Sequence, residues 1–136
     1  MPNSKITDFR IIEAIRLIDL NLDQDFDFND LAETLNLSVT RLRHLFKEQT
    51  GVSFRKYLRQ TRMQWARQLL ETSFISVKET ANRSGIKDSS HFVRDFEKEF
   101  GLSPARYRKR YHSAEKSQLL EHESEQKTVI AGMANR

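Results

Sequence analysis

Residues 85–108 carry the most informative stretch of the chain, GIKDSSHFVRDFEKEFGLSPARYR. The signals of a capped amphipathic helix follow one another there: Asp88 or Ser89 as the N-cap, Phe92, Phe96 and Phe100 on one face, and Gly101 as the stop. Ser103-Pro104 then predicts the start of a further helix, because a capping serine is followed by proline at the first helical position. The stretch therefore predicts a helix, a glycine stop and a second helix.

The same pattern occurs earlier in the chain. The segment 46–57, FKEQTGVSFRKY, aligns with the segment 96–107, FEKEFGLSPARY, at an offset of 50 residues. Upstream, three positions repeat at an offset of 49: Ala32, Asn36 and Leu37 align with Ala81, Gly85 and Ile86. Asparagine and glycine tolerate the left-handed backbone of a tight turn. A short helix, a turn and a longer helix form the helix-turn-helix signature, and two copies in register predict two such motifs.

Local signals predict the other helices. An amphipathic helix is expected over residues 8–22, and Asn29 is a plausible N-cap for a short helix that follows. Ser76 and Glu79 form a capping box, in which each side chain satisfies an amide of the other. Further helices are predicted at about 39–49 after Ser38, about 54–71 after Ser53, and about 104–111.

These elements predict an all-α chain of about seven helices, in which two helix-turn-helix subdomains are joined by a long linking helix. We divide the chain into four segments: residues 1–52 (the N-terminal helix and first helix-turn-helix), 53–72 (the linking helix), 73–112 (the second helix-turn-helix and closing helix) and 113–136 (a tail). The tail is polar with little apolar periodicity, so we expect it to fray or to be disordered.

Composition excludes several classes of protein. The 136 residues contain no cysteine, which rules out disulfides, thiolate zinc sites and a cysteine nucleophile. The four histidines show no metal-ligand spacing, and no glycine-rich loop or nucleophile motif is present. No apolar run approaches a membrane span, and the N-terminus leads into no signal core. We expect a cytoplasmic, nucleoid-associated protein that is not an enzyme and has no metal, cofactor, membrane or small-molecule ligand.

The charge is unevenly distributed. Residues 1–37 hold three Lys/Arg against eight Asp/Glu, a net −5, whereas residues 38–71 hold eight against two, a net +6. A basic middle behind an acidic front indicates a surface that faces a polyanion. Within that basic region, Arg62 and Arg67 are candidates to pair with Glu71 or with the acidic N-terminal helix.

The chain resembles the DNA-binding domain of AraC/XylS-type transcription regulators over about residues 8–111. The resemblance rests on the first motif, the linking helix and, above all, the stretch quoted first: Leu31-Ala32, Asn36-Leu37-Ser38, Leu42, Leu45 and Phe46; Arg62, Ala66, Leu69 and Leu70; and residues 85–108. It implies an all-α domain that binds double-stranded DNA, and it favours an activator over a repressor.

Helical periodicity separates the faces of the two longer helices of these motifs. Apolar residues of each helix face inward, which leaves a polar face for the major groove. The candidate base-reading residues are Thr40, Arg43, His44, Ser90, His91, Val93 and Arg94. Arginine can donate two hydrogen bonds to guanine, histidine can bond to purine acceptors, serine can bond to either strand, and threonine or valine can meet a thymine methyl. The resemblance implies the same outward positions.

Phosphate contacts are expected from helix N-termini, which offer amides, and from nearby cations. The candidates are Ser38, Lys47, Ser53, Arg55, Lys56, Ser89, Lys98, Ser103 and Arg106. A linking helix of about 18 residues would span roughly 27 Å, close to the ~34 Å between successive major grooves. This predicts a monomer on one asymmetric site with direct, non-identical half-sites.

Two alternatives remain open at the level of sequence. The chain could be a helical module that binds protein, with its Arg and Lys residues simply solvated, or the output domain of a larger sensor. A further hypothesis places Asp19, Asp23, Asp25 and Asp27 on a face turned away from DNA, where they would contact RNA polymerase.

Overall fold

The computed structural model describes residues 5–134, and this part of the chain contains seven helices and no strand. The helices are α1 (Phe9–Leu20), α2 (Phe28–Thr34), α3 (Val39–Thr50), α4 (Phe54–Thr72), α5 (Val77–Arg83), α6 (Ser89–Phe100) and α7 (Pro104–Ala134). The all-α prediction with two helix-turn-helix units is confirmed. No helix among the described residues is both long enough and apolar enough to cross a membrane.

Two apolar cores lie on the two ends of α4. The first core is formed by buried residues of α1, α2 and α3: Ile11, Ala14, Ile18, Leu31, Ala32, Leu42, Leu45 and Phe46. The second contains Met63, Ala66 and Leu70 of α4 together with Ala81, Phe92 and Phe96. Phe54, Tyr57 and Leu58, at the beginning of α4, pack on the first core. The linking helix therefore belongs to both halves.

The repeat in the sequence is a repeat in backbone geometry. Leu37 N–H donates to the Ala32 carbonyl at 2.9 Å, and Ile86 N–H donates to the Ala81 carbonyl at 2.8 Å. The residues before these donors, Asn36 and Gly85, have φ of 58° and 81°. Both turns are Schellman motifs, which end a helix with one left-handed residue. The prediction of two equivalent turns is thereby confirmed.

One predicted N-cap and one half of the predicted capping box differ from the structure. Asp27, not Asn29, caps α2, because its carboxylate accepts the Asn29 N–H at 2.8 Å and Asn29 lies inside the helix. Ser76 accepts the Glu79 N–H at 3.0 Å as predicted, but the Glu79 carboxylate accepts from Arg83 Nε, also at 3.0 Å. The capping box is therefore formed in one direction, since Arg83 one turn later is an ion-pair partner for Glu79.

The tail differs most from the sequence-based expectation. Helix α7 does not end near residue 111 but continues to Ala134, so the expected disorder is wrong for residues 113–134, while residues 135–136 lie outside the described part. The segment is rich in Ala, Glu, Gln and Leu, which favour a helix even without an apolar face to bury. Residues 113–133 are all exposed. The tail is thus a solvent-exposed extension of the closing helix.

Candidate nucleic-acid interface

Helix α3, which we call the first reading helix, presents the polar face that its periodicity predicts. Ser38 accepts the Arg41 N–H at 3.1 Å and caps the helix, while Leu42, Leu45 and Phe46 point into the first core. The opposite face is exposed and consists of Thr40, Arg43, His44 and Lys47. These four side chains therefore lie on one surface.

Arg43 is supported by an aromatic ring. Its guanidinium carbon lies 5.6 Å from the centroid of Phe28, the first residue of α2. Phe28 is half-buried, and its ring centroid is 4.6 Å from that of Phe54. A cation over an aromatic face is attracted to the ring, and this contact restricts the conformations of a long side chain. Nothing in the local pattern around Arg43 indicated this partner.

Helix α6, the second reading helix, has a less uniform outer face. Ser90, His91 and Arg94 are exposed, whereas Val93 is half-buried and packs against the second core. Val93 therefore presents only part of its side chain to a ligand, because it lies at the boundary between the apolar and polar faces. Glu97 is exposed at the position that corresponds to Lys47 in the first reading helix. The two outer faces thus differ in charge.

The N-terminus of α6 is already occupied by a carboxylate. Asp88 accepts the backbone N–H groups of Ser90 at 2.9 Å and His91 at 3.1 Å. The His91 N–H bond is the main reason why the pKa of Asp88 lies below its ordinary value. The prediction of free amides at this helix end is therefore wrong for those two groups. Ser89, beside them, is half-buried.

The serines that begin α4 and α7 act as N-caps in both halves. Ser53 accepts the Lys56 N–H at 3.2 Å, and Ser103 accepts the Arg106 N–H at 3.3 Å. Around these helix ends and on the reading helices, five of the predicted phosphate-binding cations are exposed and form no ion pair within residues 5–134: Lys47, Arg55, Lys56, Lys98 and Arg106. They are available to anions, and their role toward phosphate stays a prediction.

Arg62, a candidate to pair with Glu71 or the acidic N-terminal helix, binds main-chain carbonyls instead. Its Nε donates to the Leu22 carbonyl at 3.2 Å and its Nη2 to the Gln24 carbonyl at 2.9 Å. Arg67 does pair with Glu71, at 3.9 Å. The Arg62 contacts connect the linking helix to the loop between α1 and α2. The sequence could not predict these hydrogen bonds, because their acceptors are backbone atoms.

A second contact in the same region is also absent from the sequence-based predictions. Lys87, in the turn before α6, lies 2.7 Å from a carboxylate oxygen of Asp25, in the α1–α2 loop. Both side chains are about four-fifths exposed. Asp25 and the α2 cap Asp27 therefore have structural partners, whereas Asp19 and Asp23 form no ion pair among the described residues.

Comparison with known proteins gives the same assignment as the geometry. The family model of the helix-turn-helix domain matches residues 31–110. The chain is 36% identical over 104 residues to the uncharacterized HTH-type transcriptional regulator YijO of Escherichia coli K12, covering 76% of this chain and 37% of that protein. It is 39% identical over 90 residues to the HTH-type transcriptional activator RhaR of Pectobacterium atrosepticum, covering 66% and 32%. The chain thus spans about a third of the length of these relatives.

Solved structures show the same architecture. The DNA-binding domain of AdpA, determined in complex with a target DNA, has a TM-score of 0.73 and 30% identity, covering 79% of this chain and 96% of that one. An AraC-type regulator from Chromobacterium violaceum has a TM-score of 0.70 and 26% identity, covering 75% and 91%. With the tandem motifs and exposed reading faces described above, these matches lead to one conclusion: the chain belongs to the AraC-type helix-turn-helix family of DNA-binding transcription regulators.

Proposed function

We propose that this chain reads one asymmetric DNA site by placing α3 and α6 in successive major grooves of a single duplex. The observation that carries the proposal is the tandem geometry. Two turns with the same hydrogen-bond pattern each lead into a helix with an exposed polar face, and one continuous linking helix joins them. Helix α4 has 19 residues and is therefore about 28 Å long, close to one turn of B-DNA. Two reading helices joined by a linker of that length would suit two neighbouring grooves.

The contacts to bases would come from the exposed side chains of the two reading helices. In α3 these are Thr40, Arg43 and His44, and in α6 they are Ser90, His91 and Arg94, with the exposed part of Val93. Equivalent positions carry different residues, for example Arg43 and Val93, so the two half-sites should differ in sequence. The phosphate contacts would come from Lys47, Arg55, Lys56, Lys98 and Arg106, and from the helix ends at Ser38, Ser53 and Ser103. The helix end at Ser89 is set aside, because Asp88 occupies two of its amides.

Charge asymmetry makes the first reading helix the stronger contributor to affinity. Lys47 faces outward from α3, whereas the corresponding Glu97 faces outward from α6, and Asp88 adds a carboxylate at the N-terminus of α6. Both acidic groups repel phosphate. The second reading helix would then contribute mainly to base selection through Arg94.

We further propose that the chain activates transcription through an acidic surface formed by Asp19 and Asp23. Both are exposed and unpaired among the described residues, and Asp19 lines a groove with Trp65 and Leu22. RNA polymerase is the partner proposed for this surface. Asp25 and Asp27 are set aside, because they pair with Lys87 and cap α2, respectively. Asp19→Lys with Asp23→Lys should impair activated transcription in vitro without changing DNA affinity. A change confined to affinity would contradict the proposal.

The relatives named above are about three times as long as the aligned region, so we propose the DNA-binding role for this region rather than for a whole regulator. A protein-binding role is the second candidate, because α7 beyond residue 116 exposes several apolar side chains: Leu119, Leu120, Val129, Ile130 and Met133.

The salt dependence of duplex binding distinguishes the two candidates. If the chain neutralises six or more phosphates, its affinity should fall by roughly 10³-fold or more between 50 and 200 mM salt, with a preference among duplex sequences that survives at the higher salt. The result that would overturn the DNA-binding proposal is weak binding without preference for any duplex. Fluorescence anisotropy with labelled duplexes from a random pool provides the measurement.

A further inference from the structure

The α1–α2 loop of the first half directly contacts the turn that leads into the second reading helix. The contact consists of Leu22, Gln24 and Asp25 on one side, Gly85 and Lys87 on the other, and Arg62 between them, and we call it the clasp. Its members come from three separate parts of the chain. It is a second connection between the halves beside the linking helix.

Gly85 shows how closely the two sides of the clasp approach each other. A Cβ atom built on Gly85 would lie 2.1 Å from the Leu22 carbonyl oxygen and 2.8 Å from Arg62 Nε. The first distance involves backbone, which cannot move aside as the end of a side chain can. The equivalent residue of the first turn is Asn36, which has a positive φ and is exposed. A side chain is therefore tolerated in the first turn and excluded from the second.

Arg62 fixes the same loop from the linking helix. The half-buried guanidinium donates to two carbonyls, those of Leu22 and Gln24, at 3.2 and 2.9 Å. Charged donors to backbone carbonyls make strong, directional hydrogen bonds, and two from one planar group restrict rotation. The exposed Lys87–Asp25 pair adds little to this, since solvent screens it.

We infer that Arg62 and Gly85 are positioning residues that set the spacing and rotational phase at which the two reading helices meet DNA. The linking helix alone could bend or twist between its two cores, and the clasp, away from its axis, removes that freedom. The inference rests on the proposed function, because spacing matters only if both helices read one duplex. The clasp contains none of the proposed base-reading residues.

The test measures how affinity depends on the spacing of the half-sites. Starting from a duplex selected by the wild-type chain, insertions and deletions of one to five base pairs are made between the protected regions. An insertion of two base pairs moves one half-site by about 7 Å and about 70° around the helix axis. Wild-type affinity should fall by roughly 100-fold on such a change, because two linked sites can no longer engage together.

Gly85→Asn is the diagnostic variant, since asparagine accepts the turn conformation at Asn36 but its Cβ would collide with Leu22. Gly51→Asn is the matched control: Gly51 has φ of 82° and open space around it. Gly85→Asn should bind the duplex of selected spacing about tenfold more weakly than the wild-type chain does. On the insertion of two base pairs its affinity should fall by less than about a further tenfold, whereas Gly51→Asn should show the wild-type dependence on spacing.

Arg62→Met provides a second, independent variant if Gly85→Asn does not melt cooperatively. It removes both hydrogen bonds to the loop and should flatten the spacing profile in the same way. Loss of stability alone would lower the affinity for every spacing by the same factor. If affinity depends on spacing in both variants as steeply as in the wild-type chain, the inference is overturned. A wild-type chain insensitive to spacing would instead refute the proposed two-groove function.

Discussion

The guanidinium carbon of Arg43 lies 5.6 Å from the ring centroid of Phe28, so the arginine of the first reading helix rests on the first residue of the preceding helix. Phe28 is held in turn by Phe54, at the beginning of the linking helix. Helices α2, α3 and α4 thus meet behind one polar side chain. A pre-positioned arginine loses less conformational entropy when it binds a base.

Replacing the supporting ring should weaken DNA binding without changing which bases are preferred. We expect Phe28→Leu to reduce affinity about two- to fivefold, in line with about 0.5–1 kcal/mol for an exposed cation–π contact. Phe26→Leu is the control, because Phe26 also packs on Phe54, at 6.1 Å between centroids, but Arg43 rests on Phe28. Equal losses in the two variants, measured by anisotropy, would indicate a packing effect and contradict this role of Phe28.

The arginines of the two reading helices should act on separate bases. Arg43→Ala and Arg94→Ala are each expected to cost about 1–3 kcal/mol and to relax base choice in one half-site. Lys47→Ala should instead weaken binding to all sequences and reduce the salt slope by about 1. Affinities for duplexes with single base changes provide the measurement. A uniform loss for either arginine would make it a phosphate contact.

The Asp88 cap predicts a pH dependence of stability. Its pKa is lowered from the ordinary 3.8 by bonds that the ionised form accepts, so its contribution is present above that value and is lost as pH falls through the lower folded pKa. Asp88→Asn keeps the cap but removes the charge. Its melting temperature should lie below wild type at pH 6, and the difference should narrow as the pH falls below 3.8. A difference that persists in acid would contradict this account.

The far part of α7 should be dispensable for the fold and for DNA binding. Residues 117–133 are exposed, and the anchoring contacts of α7 lie earlier: Tyr107 bonds to the Glu71 carboxylate, and His112 Nε2 is 3.0 Å from the Glu71 carbonyl. A chain that ends at Lys116 should melt within about 2 °C of wild type and bind DNA within about twofold. A chain that ends at Arg106 lacks both anchors, and its second helix-turn-helix unit should no longer fold. A large loss in the first truncation would contradict the prediction.

The parts of the fold that sequence predicted correctly are those set by local chemistry. Ser38 and Ser53 cap helices because a serine oxygen reaches an amide three residues away, and Gly51 ends α3 because it has a φ of 82°. Asp27 and Asn29 are both residue types that cap helices, so the cap of α2 depended on backbone geometry. The tail was misjudged because helix propensity needs no apolar periodicity.

The candidate base-reading residues were predictable to the extent that they lie on the outer face of a single helix, α3 or α6. Periodicity identified Arg43 and Arg94 as exposed, but it also placed Val93 outward, whereas Val93 is half-buried and packs against the second core. The partners of Arg62 could not be predicted, since backbone carbonyls from about forty residues away leave no trace in residue type. Gly85 was recognised as a turn residue, and its close approach to Leu22 required the structure.

Hydroxyl-radical footprinting of the wild-type chain on duplexes selected from a random pool tests the two-groove reading most directly. We expect two protected regions on one face of the duplex, centred about 10–10.5 base pairs apart, with different sequences and one chain per site. A single protected region, or an isolated half-site bound as tightly as the full site, would contradict it.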